Sequence, residues 1–390
     1  MCYALPEPLL AFDGEGFHPS CKERCPLLHC GIVGLPLAGK STVFNVITRA
    51  GAEVKAYAGG KTDPNRAVVG VPDPRHDRLT EIFRPKKSTP ALMEFVDLAG
   101  LSRDASKGAG LGNSFLSFAQ DADALVHVVR GFDNADVPHP EMAIDPARDW
   151  RIVETELILR DLGAVENRLS RLGAKKKLLP EEERERELLG RCSAFLMEER
   201  SLREMAFTPD EERLVRGFTF LTRKPELVVL NLDESQTSEE RIPQVGALEA
   251  LLRERNLRSV RVYGRMEMDL GELSPEDQQE FMEDLGVREP GRERLMAEAY
   301  RLLGLLSFFT AGDDEVKAWT IHQGDNAVAA AGAIHSDLAR GFIRAQVVSY
   351  DDFMAHGAQF SKCREAGVLR LEGKDYIVRD GDIIEIRFNV

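Results

Sequence analysis

Residues 34–45 read GLPLAGKSTVFN, and the spacing of Gly34 and Gly39, with Lys40-Ser41 directly after the second glycine, decides the reading of the fold. Gly34-x-x-x-x-Gly39-Lys40-Ser41 fits G-x-x-x-x-G-K-[ST] at every fixed position. The short apolar run CGIV precedes it, and TVFNVITRAG follows with Val43, Val46 and Ile47 at helical spacing and Gly51 where a helix stops. Strand, loop and helix in that order are the setting a phosphate-binding P-loop requires. Backbone N–H groups and the positive helix end hold phosphate, and glycine lets the backbone close round it. Lys40 is then expected to reach the β and γ phosphates and the Ser41 hydroxyl to ligate Mg2+. An ordinary Gly-rich turn with a surface lysine would not need the flanking strand and helix.

The runs ALMEFVDLAG, DALVHVVRGF, ELVVLNLDE and SVRVYGR have the length and β-branched content of buried parallel strands, with helical patterns between several of them. That is the pattern of an α/β, mostly parallel, doubly wound sheet. From about Asp149 to Arg216 no strand pattern appears, and Thr155, Ile158, Leu162, Val165, Leu169 and Leu172 step by three and four. This seam, followed by the polar bend GAKKKLLPEEERERE, predicts an inserted antiparallel helical hairpin with a solvated tip. After about Leu306 the runs VKAWTI, GFIRAQVVSY, GVLRLEGKDYIV and DIIEIRFNV predict a small, mostly β domain with one helix near NAVAAAGAIHSDLA. The expected division is an N-terminal extension over 1–28, a P-loop domain over 29–146 and 217–305, the hairpin over 147–216 and the β domain over 306–390.

Composition narrows the classes. The 390 residues exceed one core's worth, and 43% hydrophobic with 30% charged residues is ordinary for folded protein. No run approaches the roughly 20 apolar residues of a membrane span, and the opening MCYALPEPLLAFDGEGF lacks a secretory signal, so a cytoplasmic protein without membrane association is expected. A net charge of -14 opposes delocalised binding to nucleic acid, which leaves any RNA contact local. Six cysteines, at 2, 21, 25, 30, 192 and 363, are too uneven for a disulfide framework. Cys21, Cys25, His29 and Cys30 are enough donors for zinc, but their spacing matches no zinc pattern, and a poorly ordered N-terminal extension is the better reading.

Two further motifs concern the nucleotide. Val96-Asp97-Leu98-Ala99-Gly100 ends a strand; its acid is placed to hold a magnesium-bound water, and its glycine N–H to meet the γ phosphate. Ras-like enzymes follow this glycine with a glutamine that orients the attacking water, whereas Leu101 can neither donate nor accept, so turnover should be slow. At the next strand end, guanine-specific proteins carry NKxD; here Asn231-Leu232-Asp233-Glu234 lacks the lysine and has an acid one methylene longer. Both changes weaken a guanine reading.

Taken together these residues resemble the Obg-like ATPases of the YchF type. The resemblance runs over about residues 29 to 390 and includes GIVGLP, GKSTVFN, DPNRAVVGVPDPRHDRL, VDLAGL, SKGAGLGN, VETELILRDL, VKAWTI, GFIRAQVVSYDDF, EGKDYIVRDGD and RFNV. It implies a P-loop G domain with a helical hairpin insert and a C-terminal TGS domain of β-grasp fold. It also implies slow, Mg2+-dependent ATP hydrolysis with ATP preferred over GTP, ribosome association, and effects on translation and stress responses. Carried over by motif, Gly34 and Leu37, Ala38, Gly39, Lys40, Ser41 and Thr42 contact phosphate, and Asn231, Leu232 and Glu234 contact the base.

Two departures stand out. Leu37 replaces an asparagine that helps bind a monovalent cation in related potassium-stimulated enzymes, which counts against potassium dependence. The family's switch I reads roughly YPFCTIEPN, and this chain has Tyr57-Ala-Gly-Gly-Lys-Thr-Asp-Pro-Asn65. The metal-binding threonine therefore becomes Lys61 in ungapped register, and either the loop shifts to present Thr62 to magnesium or Lys61 supplies charge near the phosphates. The two glycines make the shift easier. These departures motivate an alternative, a nucleotide-binding scaffold with negligible hydrolysis that acts through protein or ribosome interaction. A guanine-specific switch would rest on fold analogy alone.

Overall fold

The computed structural model describes residues 28–49, 55–57, 65–98, 118–236, 243–271, 273–284, 287 and 289–389. Cys21, Cys25, Lys61, Thr62, Gly100 and Leu101 lie outside the described residues, as does all of the expected N-terminal extension but Leu28.

Along the chain, β1 (His29–Val33) leads through the glycine loop to α1 (Lys40–Arg49). Next come β2 (Lys55–Tyr57), β3 (Asn65–Gly70), α2 (Pro74–Phe83), β4 (Lys87–Thr89), β5 (Leu92–Asp97) and β6 (Ala124–Arg130). After α3 (Pro146–Gly173), α4 (Pro180–Met197) and α5 (Pro209–Val215), the sheet resumes with β7 (Glu226–Asn231), α6 (Pro243–Glu254) and β8 (Arg258–Val262). Three helices follow, α7 (Gly264–Leu270), α8 (Pro275–Asp284) and α9 (Gly291–Leu302).

The first sheet has seven strands in the order β2-β3-β5-β1-β6-β7-β8. From β5 to β8 every pairing is parallel, and β3 and β2 add antiparallel at one edge. All residues of β6 and β7 are buried, which explains why these strands read as unbroken apolar runs rather than alternating ones. In such a sheet ligands bind beyond the carboxyl ends of the strands, where the glycine loop, Asp97 and Asn231 all lie.

The inserted hairpin is α3 and α4. Asp145 caps α3 by accepting from the Arg148 N–H, and Pro146 opens the helix. Ile158, Val165 and Leu172 are buried against Leu188, Leu189, Cys192 and Leu196, with Leu162 and Leu169 partly buried beside them. Thr155 is exposed instead; at the base of the hairpin the buried positions are Val153 and Glu154, because α3 there packs on the sheet rather than on α4.

The C-terminal part holds β9 (Leu305–Ala311), β10 (Glu315–His322), α10 (Ala327–Ile334), α11 (Ser336–Arg340), β11 (Phe342–Ser349), α12 (Tyr350–Ala355), α13 (Phe360–Glu365), β12 (Arg370–Glu372) and β13 (Asp382–Phe388). β13 lies parallel to β9 at the centre, flanked by the antiparallel partners β11 and β10, which is the β-grasp arrangement. The single helix expected at NAVAAAGAIHSDLA is two: His335 is extended at φ −164 and ψ 142, ends α10, and caps α11 by accepting from the Asp337 N–H. The sequence pattern also missed α12 and α13, whose Phe353 and Cys363 complete the core on the other face of the sheet. One strand comes from outside the domain. β4, from the P-loop domain, pairs parallel with β10 and makes the C-terminal sheet six-stranded.

Candidate functional site

The glycine loop begins where β1 ends. Gly34 has φ +146 and a Cβ there would overlap the Val128 carbonyl oxygen; Gly39 has φ +92 and a Cβ there would overlap Asn231 Nδ2. Both glycines are therefore fixed by sterics as well as by conformation. Leu37 is left-handed at φ +62 with its side chain 52% exposed, while Ala38 is buried beneath the loop. Lys40 opens α1 and is buried; its Nζ donates to the Gly34 carbonyl at 2.9 Å and the Leu35 carbonyl at 2.7 Å. Burial lowers the Lys40 ammonium to about 8, against the opposing pull of the Asp97 carboxylate. Ser41 is exposed at the helix start and Thr42 half-buried.

Asp97 ends β5, paired in register with Ile32 of β1 and Asn65 of β3, and is 2% exposed. Its charge near Lys40 puts the strand-end acid and the loop lysine in one site. Of the side chains expected to meet a metal, Ser41 and Asp97 are the ones among the described residues. Among the described residues no three or more His, Cys, Asp or Glu side chains are grouped so as to hold a metal ion. His29, weighed above as a zinc donor, instead has Nε2 at 2.8 Å from Glu94 Oε2 and Nδ1 at 3.6 Å from Asp123 Oδ2, and hydrogen bonds to these two carboxylates raise it to about 9.

Asn231, last residue of β7, bridges two elements. Its Nδ2 donates to the Ala38 carbonyl at 3.1 Å and its Oδ1 accepts from the Gly264 N–H at 3.3 Å, so the glycine loop, β7 and the start of α7 are tied through one buried amide. Leu232 is 2% exposed and packs with Val245 in the core on that side. Glu234 is exposed at the start of a short 3-10 turn. Sequence reasoning missed Gly264, where a Cβ would press on Asn231 Oδ1, and Phe132, whose ring lies near Gly39 under the Arg130 guanidinium, 4.4 Å from its centroid. Neither carries a motif. A cavity of about 10 Å³ lies behind the loop, lined by Leu35, Pro36, Ala38, His127, Arg130 and Asp149 among others.

The sequence matches two family models. Residues 29–159 match one described as a 50S ribosome-binding GTPase, and residues 305–389 match the C-terminal model of the YchF GTPases, described as a protein of unknown function. The chain is 43% identical over 371 residues to the ribosome-binding ATPase YchF of Bacillus subtilis, covering 93% of this chain and 100% of that protein. The ribosome-binding ATPase YchF of Haemophilus ducreyi is 44% identical over 362 residues, covering 93% and 99%. Among solved structures, the Schizosaccharomyces pombe YchF GTPase superposes with a TM-score of 0.83 at 31% identity, covering 93% of this chain and 99% of that one.

Proposed function

The chain belongs to the YchF family, and on that premise we propose that it is a Mg2+-dependent ATP-binding protein that hydrolyses ATP slowly and switches its association with the cytoplasmic ribosome. The observation that carries the ATP reading is the β7 end. Asn231 fixes the loop while Leu232 is buried where guanine readers present a lysine, and the acid that follows is the longer, exposed Glu234. The relatives named ribosome-binding ATPases support the partner and the activity.

The residues fit nucleotide and metal. The glycine cradle leaves space that a Cβ at Gly34 or Gly39 would take, and α1 presents its unpaired first N–H groups there. Lys40 holds two carbonyl contacts that phosphate oxygens would replace. Ser41 would hold Mg2+ directly and Asp97 through water, with Thr62 a further ligand; the metal, when bound, offsets the charge developing on the phosphates. Gly100 and Leu101 belong to the γ-phosphate loop, and with an aliphatic residue at 101 no side chain there orients water, which makes hydrolysis slow.

Paired calorimetry and single-turnover assays with ATP and GTP test this reading. ATP is expected to bind more tightly and to turn over slowly with Mg2+; tighter GTP binding would sink the base assignment. The second reading, a scaffold without useful hydrolysis, is favoured by Leu37, which sits left-handed and exposed in the loop where an amide side chain would hold a cation. It predicts hydrolysis no faster than in Lys40→Ala with nucleotide binding intact in the parent.

A further inference from the structure

β11 and β13 are antiparallel neighbours, and their register sets Arg344 directly opposite Arg387. Residues so opposed share one face with Cβ atoms about 5 Å apart, where like charges repel. Both side chains are exposed, and neither has a hydrogen-bond or ion-pair partner among the described residues. Elsewhere in the domain Arg340 is paired with Asp337, and Arg370 with Glu372 and Asp382. Arg364 of α13 reaches the same face, its Nη2 donating to Gln346 Oε1 at 3.1 Å, two residues along β11 from Arg344. The carboxylate of that row, Glu385, accepts from Gln346 Nε2 at 3.0 Å. A β-bulge between Phe342 and Arg344 re-aims the strand end and leaves Ile343 53% exposed.

Opposed arginines without a counterion weaken the sheet they sit on, so folding does not account for them. We propose that Arg344 and Arg387 form a focal clamp for an RNA backbone phosphate, through which the C-terminal domain touches the ribosome; this rests on the ribosome-associated reading above. Two planar guanidinium forks match phosphate oxygens. Residues 306–390 carry nine Lys and Arg against thirteen Asp and Glu, which repels a broadly spread polyanion and restricts the contact to one point. RNA offers a phosphate at every nucleotide, and the exposed Ile343 next to Arg344 offers apolar surface for ribose or base.

The test compares the parent with the double variant Arg344→Ala, Arg387→Ala in the full chain, by sedimentation with purified 70S ribosomes and by fluorescence anisotropy with a ribosomal RNA hairpin. The variant is expected to lose about tenfold or more in affinity for both, with the log–log salt slope flattened by about one to two. Its thermal midpoint should equal or exceed the parent's, because a repulsion has been removed, and its ATP affinity should not change. Equal binding of parent and variant to ribosomes overturns the clamp while leaving ribosome association intact. Loss of ribosome binding with the hairpin bound as before also overturns it, assigning the surface to an acidic protein. A parent that binds the hairpin through these arginines but ignores ribosomes removes the ribosome reading and keeps the RNA site.

Discussion

Asn231 makes two hydrogen bonds from a position 4% exposed, one to the glycine loop and one to the start of α7. Replacing it by alanine leaves the Ala38 carbonyl and the Gly264 N–H without these partners in a buried place, at a cost of about 1–3 kcal/mol for such an orphaned group. Asn231→Ala is therefore expected to lower the denaturation midpoint and weaken ATP and GTP binding alike, since the loop loses its support before the base is read; a variant that lost only ATP binding would assign Asn231 to the base alone. Lys40 gives a pH prediction at the same scale. With its ammonium lowered to about 8, the charged form that attracts phosphate is present below that pH and is lost above it. Nucleotide affinity at fixed ionic strength should be flat from pH 6.5 to 7.5 and fall as pH rises past 8, and a flat profile to pH 9.5 would show that Lys40 is not the charged contact. Gly34, Gly39, Lys40, Asp97 and Asn231 are legible in the sequence because their constraints follow from a short local pattern. Gly264 and Phe132 are not, because tertiary packing alone brings them to the loop, and no spacing reveals that the Leu232 side chain is buried.

Between elements, the hairpin is joined to the sheet by a buried charge network that no motif announces. Arg203, after α4, places Nη1 at 2.6 Å from both Glu154 Oε1 on α3 and Glu226 Oε2 on β7. Glu226 also accepts from Trp150 Nε1 at 3.0 Å and meets His127 Nδ1 at 2.9 Å. Burial pushes the Glu154 carboxyl up, while Glu226, although burial opposes it, is held down at about 2 by Arg203 and His127. Arg203→Met leaves two buried carboxylates facing each other without their cation, and breaking a buried pair in this way costs about 3–5 kcal/mol. The expected result is a loss of that order in urea unfolding, with Glu154→Gln in the same background recovering part of it; no loss would mean the network is hydrated and structurally idle. The hairpin itself was legible from its three-four periodicity. Its base was not, because there α3 turns a glutamate and a tryptophan, along with Leu157, toward the sheet rather than toward α4.

Across the whole molecule, the P-loop domain and the C-terminal domain share a sheet and a core. β4 pairs with β10, the Lys86 ammonium lies 2.9 Å from Asp314, Lys87 lies 3.0 Å from Glu315, and Arg75 at the start of α2 donates to both Asp73 and Asp380. Phe83 of α2 stacks on Phe353 of α12, and Phe309, Val316 and Ile383 belong to the same buried cluster as Ile32 and Phe95. The exposed ion pairs contribute little singly, so the shared core and the strand pairing hold the domains. The stretch DPNRAVVGVPDPRHDRL, legible as a family motif, thus includes an interdomain contact that sequence could not disclose, since Arg75 and Asp380 are distant in the chain. Because β5, which ends at Asp97 in the glycine-loop site, follows β4 directly in the chain, this contact also gives a short covalent route from that site to the C-terminal sheet. Cutting the chain at residue 304 should strip β4 from β10 and expose a strand edge together with Val316 and Phe309. The isolated fragment 305–390 is expected to self-associate in sedimentation velocity and to melt below the full chain, which itself should unfold in one calorimetric transition. A monomeric fragment with an unchanged midpoint would show that the two domains merely touch.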